Sequence, residues 1–371
     1  MRLTRREFNR LSVLGGVALL NESPEPGEII LDMPDAVEDS TPEIEALAEV
    51  PEILEEQEEK DTVRVAIVKT TDREKGIARA VALLGEMDFS GKDVYLKCSY
   101  NSPDPFPATT HPDALGAMVR MLRGKGAGGV TLVERSGMGR TRDILEKLNV
   151  LTALKELDVS FRPLDELPAD EWRHFAPAAS HWPKGFAFPR FLTRNKCIVQ
   201  LCNLKTHRFG GIFSASLKNS IGLVAKYAGA VEYGLTEKDA KYPGRGWNYM
   251  KDLHDSPYQG QMIAEANQAY TPELAVMDAV EVFVADGPER GEIASPEIIV
   301  ASRDRVAIDA VGVAILVYAG ANISISENVF EQAQLKRAAE LNLGVASREK
   351  IRVISDDSAG RMLASRLQGI L

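Results

Sequence analysis

The amino-acid sequence predicts an α/β fold: a mostly parallel sheet with helices on both faces, in Rossmann-like layers. Three observations carry that expectation. Short strand-like segments alternate with helical ones from residue 63 onward. The segments VRVAIVK (63–69) and VTLVER (130–135) are compact and apolar, as strands covered on both faces are. Some 310 residues follow an acidic N-terminal stretch, enough for one large domain or two intertwined lobes.

The chain divides into residues 1–21, 22–61 and 62–371. In the first, Thr4, Arg5, Arg6, Glu7 and Phe8 precede LSVLGGVALL, an apolar run too short to cross a bilayer as an ordinary helix. The pattern resembles a twin-arginine export signal, although Asn9 stands where leucine is commoner and no A-x-A cleavage site follows. The other reading is a basic, mildly apolar helix. Export would place the protein outside the cytoplasm, in the periplasm or on the outer face of the cytoplasmic membrane if the signal stays uncleaved. The twin-arginine translocase is then a partner.

Residues 22–61 hold sixteen Asp and Glu against the single Lys60, with prolines at 24, 26, 34, 42 and 51. Such a segment is expected to be a disordered, solvated linker, with a short helix around 43–59 as a local option. Its charge of −15 exceeds the −10 of the whole chain, which leaves residues 62–371 at +2. The acidity therefore belongs to the linker and says nothing of the ligand the folded part prefers. No basic face interleaved with aromatics points to nucleic acid.

From residue 62 the elements follow in order. The strand 63–69 leads into a helix through Ile77, Val81 and Leu84, then the strand DVYLKCS, a helix from His111 to Leu122, the strand 130–135 and a helix from Thr141 to Leu148. Further strands are expected at 159–164, 197–202, 274–278, 297–302 and 351–354, and helices at 259–270, 305–319 and 327–341. GMGRT lacks the GxGxxG spacing of a dinucleotide loop. Residues 226–256 read as an irregular, Gly- and Tyr-rich excursion able to cover a site.

The chemistry concentrates in KCIVQLCNLKTHRFGGIFSASLKNSIGLV, residues 196–224. We expect a strand through Cys202, a polar loop carrying Lys205, Thr206, His207 and the pair Gly210–Gly211, and a helix that Ser214 caps and that presents Lys218 and Asn219. Ligands of α/β proteins sit at the carboxyl ends of the strands, where helix N-termini suit anions. Lys205 and Lys218 are thus candidates to neutralise a small anionic substrate, with His207 as general acid/base or metal ligand. Each residue alone has a plainer reading as a solvated lysine or a hydrogen-bonded histidine. Thr109 and Thr110 offer hydroxyls to an oxyanion or simply cap the helix after Pro112. Glu134 and Asp278 end strands, as bases, ligands or turn caps. Asp309 lies in an apolar helix and needs a partner, for which Lys205 or Lys218 would serve.

Three cysteines and no CxxCxxC run exclude a four-cysteine iron-sulfur cluster bound by this chain alone. Cys98 and Cys202 end two expected strands and can pair as a disulfide, hold a soft transition metal with His207 or His111, or be small buried hydrophobes.

Four blocks, KCSYNSPDPFPATTHPDAL, VQLCNLKTHRFGGIFSASLKNSIG, VMDAVEVFVADGPERGE and DRVAIDAVGVAIL, resemble successive blocks of the family called domain of unknown function 362, over roughly residues 63–320. Lys205, Thr206, His207, Lys218 and Asn219 match it in the central block, and Thr109, Thr110, His111, Asp278, Gly287, Pro288, Gly291 and Asp309 elsewhere. The resemblance implies these as site residues and a bacterial or archaeal setting in which ferredoxin-type clusters or export signals are common. Cys98 and Cys202 stand where the family often has proline or lysine. The reading is an exported enzyme of redox or isomerase type acting on a small anion, or a non-catalytic anion-binding accessory of an exported redox complex, with a redox partner protein.

Overall fold

The computed structural model describes residues 62–193, 196–209, 212–227, 247–323 and 328–371; the expected export signal, linker and helix at 43–59 lie outside these. The chain enters as β1 (Val63–Lys69), α1 (Arg73–Leu83), β2 (Asp93–Lys97), α2 (Pro112–Gly124), β3 (Gly129–Glu134), α3 (Thr141–Lys147), α4 (Val150–Glu156) and β4 (Ser160–Pro163). A small hairpin, β5 (Trp172–Phe175) with β6 (Phe186–Pro189), precedes the long β7 (Cys197–His207), β8 (Ile212–Ser214) and the single turn α5 (Ser216–Asn219). Then come α6 (Tyr249–Asp255), α7 (Gln259–Ala266), β9 (Leu274–Ala285), β10 (Glu292–Ala294), β11 (Ile298–Ser302), α8 (Arg305–Tyr318), α9 (Ala333–Glu340), β12 (Ile351–Ile354) and α10 (Ser358–Ile370).

The α/β expectation holds, with all the larger strands in one sheet of order β12-β1-β11-β9-β7-β2-β3-β4. Pairing is parallel across β9-β7-β2-β3-β4 and β1-β12, and antiparallel where β11 inserts between β1 and β9. One apolar cluster, with Ile77, Leu115, Leu145 and Leu154, packs α1 to α4 on one face. Another, with Leu217, Met262, Val311, Leu335 and Leu367, packs α5 and the later helices on the other. Every residue of β7 from Ile198 to Thr206 is buried, as a central strand covered on both faces must be. Helix α8 is buried from Arg305 to Leu316, which is why RVAIDAVGVAIL shows little amphipathic stripe.

Two expectations shift here. Lys205 and His207 lie on β7 itself, because β8 folds back and pairs Lys205 with Ser214 and His207 with Ile212. Within 226–256 the described part contains helix α6, capped by Asn248, whose side chain accepts from the Lys251 amide at 3.0 Å.

Candidate functional site

The carboxyl ends of β2, β3 and β7 open into a cavity of about 190 Å³. Each strand contributes a charged side chain at or near its carboxyl end: Lys97 from β2, Glu134 from β3 and Lys205 from β7. The turn α5 adds Lys218 and Asn219, and α6 adds Met250, Leu253 and His254 at the rim. Ala108, Met138 and Ile221 supply further apolar wall. A volume near the ~150 Å³ that accommodates benzene sets the scale of what fits.

Lys97 is the most tightly held of the three lysines. Its Nζ lies 2.9 Å from Glu134 Oε1 and donates to Glu134 Oε2 at 3.0 Å, to Asn219 Oδ1 at 3.1 Å and to the Cys98 carbonyl. All three donors of the ammonium are thereby engaged. Glu134 also accepts from the Tyr100 amide at 3.1 Å and the Arg135 amide at 3.0 Å. The pair is closed over by Gly222, where a Cβ would lie 2.7 Å from both Glu134 Oε1 and Lys97 Nζ. Only glycine lets the chain pass so close.

Lys205 donates to the Pro107 carbonyl at 3.3 Å and to the Ala108 carbonyl. Burial, aided by the charges of Lys218 and Lys97, lowers its pKa to about 7. Burial alone lowers the pKa of Lys218 to about 8. Among the described residues neither lysine has a carboxylate partner. Arg135 is likewise buried without one, donating to the carbonyls of Val224 and Ile221, and burial lowers its pKa to about 10. Glu289, also on the wall, is taken by Arg208. The cavity therefore holds an excess of cationic donors in a desolvated setting, where an anion gains more than in water.

A family model described as Domain of unknown function (DUF362) matches residues 94–314. The chain belongs to this family. Among solved structures, the lactate racemase apoprotein from Thermoanaerobacterium thermosaccharolyticum shares 12% identity, with a TM-score of 0.37 over 67% of this chain and 55% of that one. No curated protein matches.

Within this DUF362 chain the expected site residues separate. Lys205, His207, Lys218 and Asn219 line the one cavity. Thr109 and Thr110 do not: the Thr109 hydroxyl donates to the Asp104 carbonyl at 2.7 Å, and Thr110 Oγ1 accepts from the Ser99 amide at 2.9 Å, pinning their own loop. The cap of α2 is His111, whose Nδ1 accepts from the Asp113 amide at 3.1 Å. Asp278 is buried against Arg73 at 2.7 Å and accepts from the Val280 amide, apart from the cavity. Asp309 pairs with neither lysine. Its carboxylate accepts from the Ser216 amide at 2.7 Å and the Leu217 amide at 2.9 Å, doing for α5 what Ser214 was expected to do. Burial, opposed by those two amides, raises its pKa to about 7. Asp309 thus acts on the site indirectly, by fixing the turn that carries Lys218.

The cysteine expectation needs the clearest correction. Lys97 is in register with Gln200, so Cys98 takes the face of Leu201 and Cys202 the opposite one. Accordingly Cys98 packs with Leu96, Leu115 and Met118, whereas Cys202 packs with Leu204 and Ala307 and reaches the cavity wall. All three cysteines are free, and burial raises the pKa of both Cys98 and Cys202. Among the described residues no three His, Cys, Asp or Glu side chains gather to hold a metal, so Cys98, Cys202 and His207 do not form the expected ligand set.

Sequence reasoning passed over Lys97 and His254. Lys97 stood next to the eye-catching Cys98, and only the adjacency of β2 and β3 reveals its partner. His254 shares a hydrogen bond of 2.6 Å with the Met250 carbonyl through Nδ1. A carbonyl only accepts, so Nδ1 carries the proton and Nε2 is left as an acceptor. Partial burial, then the nearby Lys218 and Arg135 charges, keeps its pKa below the ordinary histidine value.

Proposed function

We propose that the protein is an enzyme that binds a small oxyanion, a carboxylate by preference, and transfers a proton on it in an isomerase-type reaction. The observation that carries the reading is the convergence of Lys205 and Lys218 with Lys97 in one small cavity where Glu134 and Glu289 already have cationic partners. In this assignment Lys205 and Lys218 hold the anion, Asn219 orients it, and His254 and His207 are the proton-transfer groups at the wall. Apolar surface from Met250, Leu253 and Ile221 faces the remainder of the substrate. The same reading keeps the protein exported, which requires that Arg5 and Arg6 changed together to Lys leave it in the cytoplasm.

Calorimetric titration with sulfate, phosphate and small carboxylates tests the binding half. A charge-assisted hydrogen bond contributes about 1.5–3 kcal/mol, so Lys205→Ala or Lys218→Ala should weaken binding roughly ten-fold or more. Equal binding by wild type and the double variant would overturn it. For catalysis, small hydroxy and keto acids are incubated with the protein in D2O and the α-proton signal followed by NMR. Exchange that His254→Gln slows supports proton transfer; saturable binding without exchange leaves an anion-binding module.

A further inference from the structure

The three lysines differ in how their donors are used. Lys97 spends all three on Glu134, Asn219 and the Cys98 carbonyl, and Lys205 spends two on the carbonyls of Pro107 and Ala108. Lys218 makes no hydrogen bond or ion pair among the described residues, yet it is half-buried and lines the same cavity. Its amine is therefore presented to the cavity without a protein acceptor among the described residues to fix it.

We infer that Lys218 is a nucleophile that forms an imine with the carbonyl carbon of a small 2-oxo acid, while Lys205 and Asn219 hold the carboxylate of that substrate. The inference rests on the oxyanion reading above, narrows it to carbonyl-bearing anions, and for these moves Lys218 from holding the carboxylate to attacking the carbonyl beside it. Burial of the amine, which brings its pKa to about 8, supplies a neutral fraction at physiological pH. The anchoring of α5 by Asp309 keeps that amine over the cavity without crowding it with a carboxylate.

The step balances without an oxidant. The nitrogen lone pair of Lys218 attacks the carbonyl carbon, a C–N bond forms, and the carbonyl π pair moves to oxygen, which takes a proton. The carbinolamine then loses its hydroxyl as water while nitrogen gives up a proton, so one water leaves for each C=N bond made. His254, whose Nε2 is an acceptor at the rim, is placed to relay those protons.

The test uses the full chain with pyruvate as the probe and cyanoborohydride, which delivers hydride to an iminium carbon and leaves a stable secondary amine. Intact mass spectrometry counts adducts and peptide mapping locates them. One adduct per chain on Lys218, forming ahead of every other lysine, suppressed by excess sulfate and lost in both Lys218→Arg and Lys218→Gln, is the expected result. An adduct spread over surface lysines, or carried by Lys205, overturns the assignment. Pyruvate titrated by calorimetry separates the two levels: binding without a Lys218 adduct refutes the imine and leaves the oxyanion reading intact, whereas neither binding nor adduct refutes both.

Discussion

Lys97→Met breaks the buried pair on which one wall of the cavity stands. Both side chains are 2% exposed and the ammonium lies 2.9 Å from Glu134 Oε1. Removing one partner of such a pair costs about 3–5 kcal/mol, chiefly because a buried charge is left uncompensated. Here Glu134 keeps the Tyr100 and Arg135 amides, so the loss belongs near the lower end, about 3 kcal/mol. Glu134→Gln added to Lys97→Met removes the stranded charge but leaves an acceptor for one of the two amides, because they meet different carboxylate oxygens. Relief of the stranded charge, offset in part by the amide that loses its acceptor, should let the double variant recover about 1 kcal/mol of that loss. Urea unfolding at pH 7, with the four stabilities combined as a double-mutant cycle, measures it. A Lys97→Met loss under about 1 kcal/mol, or a coupling energy near zero, would refute the buried pair. Gly222→Ala offers a second approach from the opposite side, since its Cβ would press on both charged groups.

Other outcomes follow from the same geometry. Asp309→Ala strands two buried amides at about 1–3 kcal/mol each, so the variant should lose about 2–6 kcal/mol, while Asp309→Asn, which keeps one acceptor oxygen for the two amides, should lose about half of that. Thermal melts of the two variants check this, and an Asp309→Ala protein as stable as wild type would remove the cap. Because folding raises the Asp309 pKa from 3.8 to about 7, the folded state binds the extra proton. Wild type should lose stability relative to Asp309→Asn as pH rises through that window. Affinity for sulfate should be highest where Lys205 and Lys218 are both protonated and should fall as pH rises through about 7 and about 8. Glu134, Glu289, Arg135, His207 and His254 share the wall and shape the same curve. Calorimetry across pH reads it, and Lys218→Gln should lose the upper step; a flat profile would refute lysine-borne binding.

Local pattern determined a good deal. The segments VRVAIVK and IRVI, and the βαβ rhythm around residues 63–148, are written in short-range apolar spacing, and the structure returns β1 as Val63–Lys69 and β12 as Ile351–Ile354. The stretch 196–224 was legible as a strand leading to lysines and an amide, because strand formers and turn-forming residues act on their immediate neighbours. What tertiary structure alone decided was partnership. The parity that sends Cys98 and Cys202 to opposite faces depends on the register of β2 against β7, which no residue of either strand states by itself. Asp309 was readable as a carboxylate in need of a partner, but the choice between a lysine and the amides of Ser216 and Leu217 depended on where α8 crosses α5. Lys97 found Glu134 because β2 and β3 lie side by side with their ends within one residue of each other, although the two residues are thirty-seven apart in the chain. Secondary structure follows from contacts a few residues away; the charge balance of the cavity follows from contacts between strand ends and turns far apart in the chain, and those exist only once the sheet is assembled.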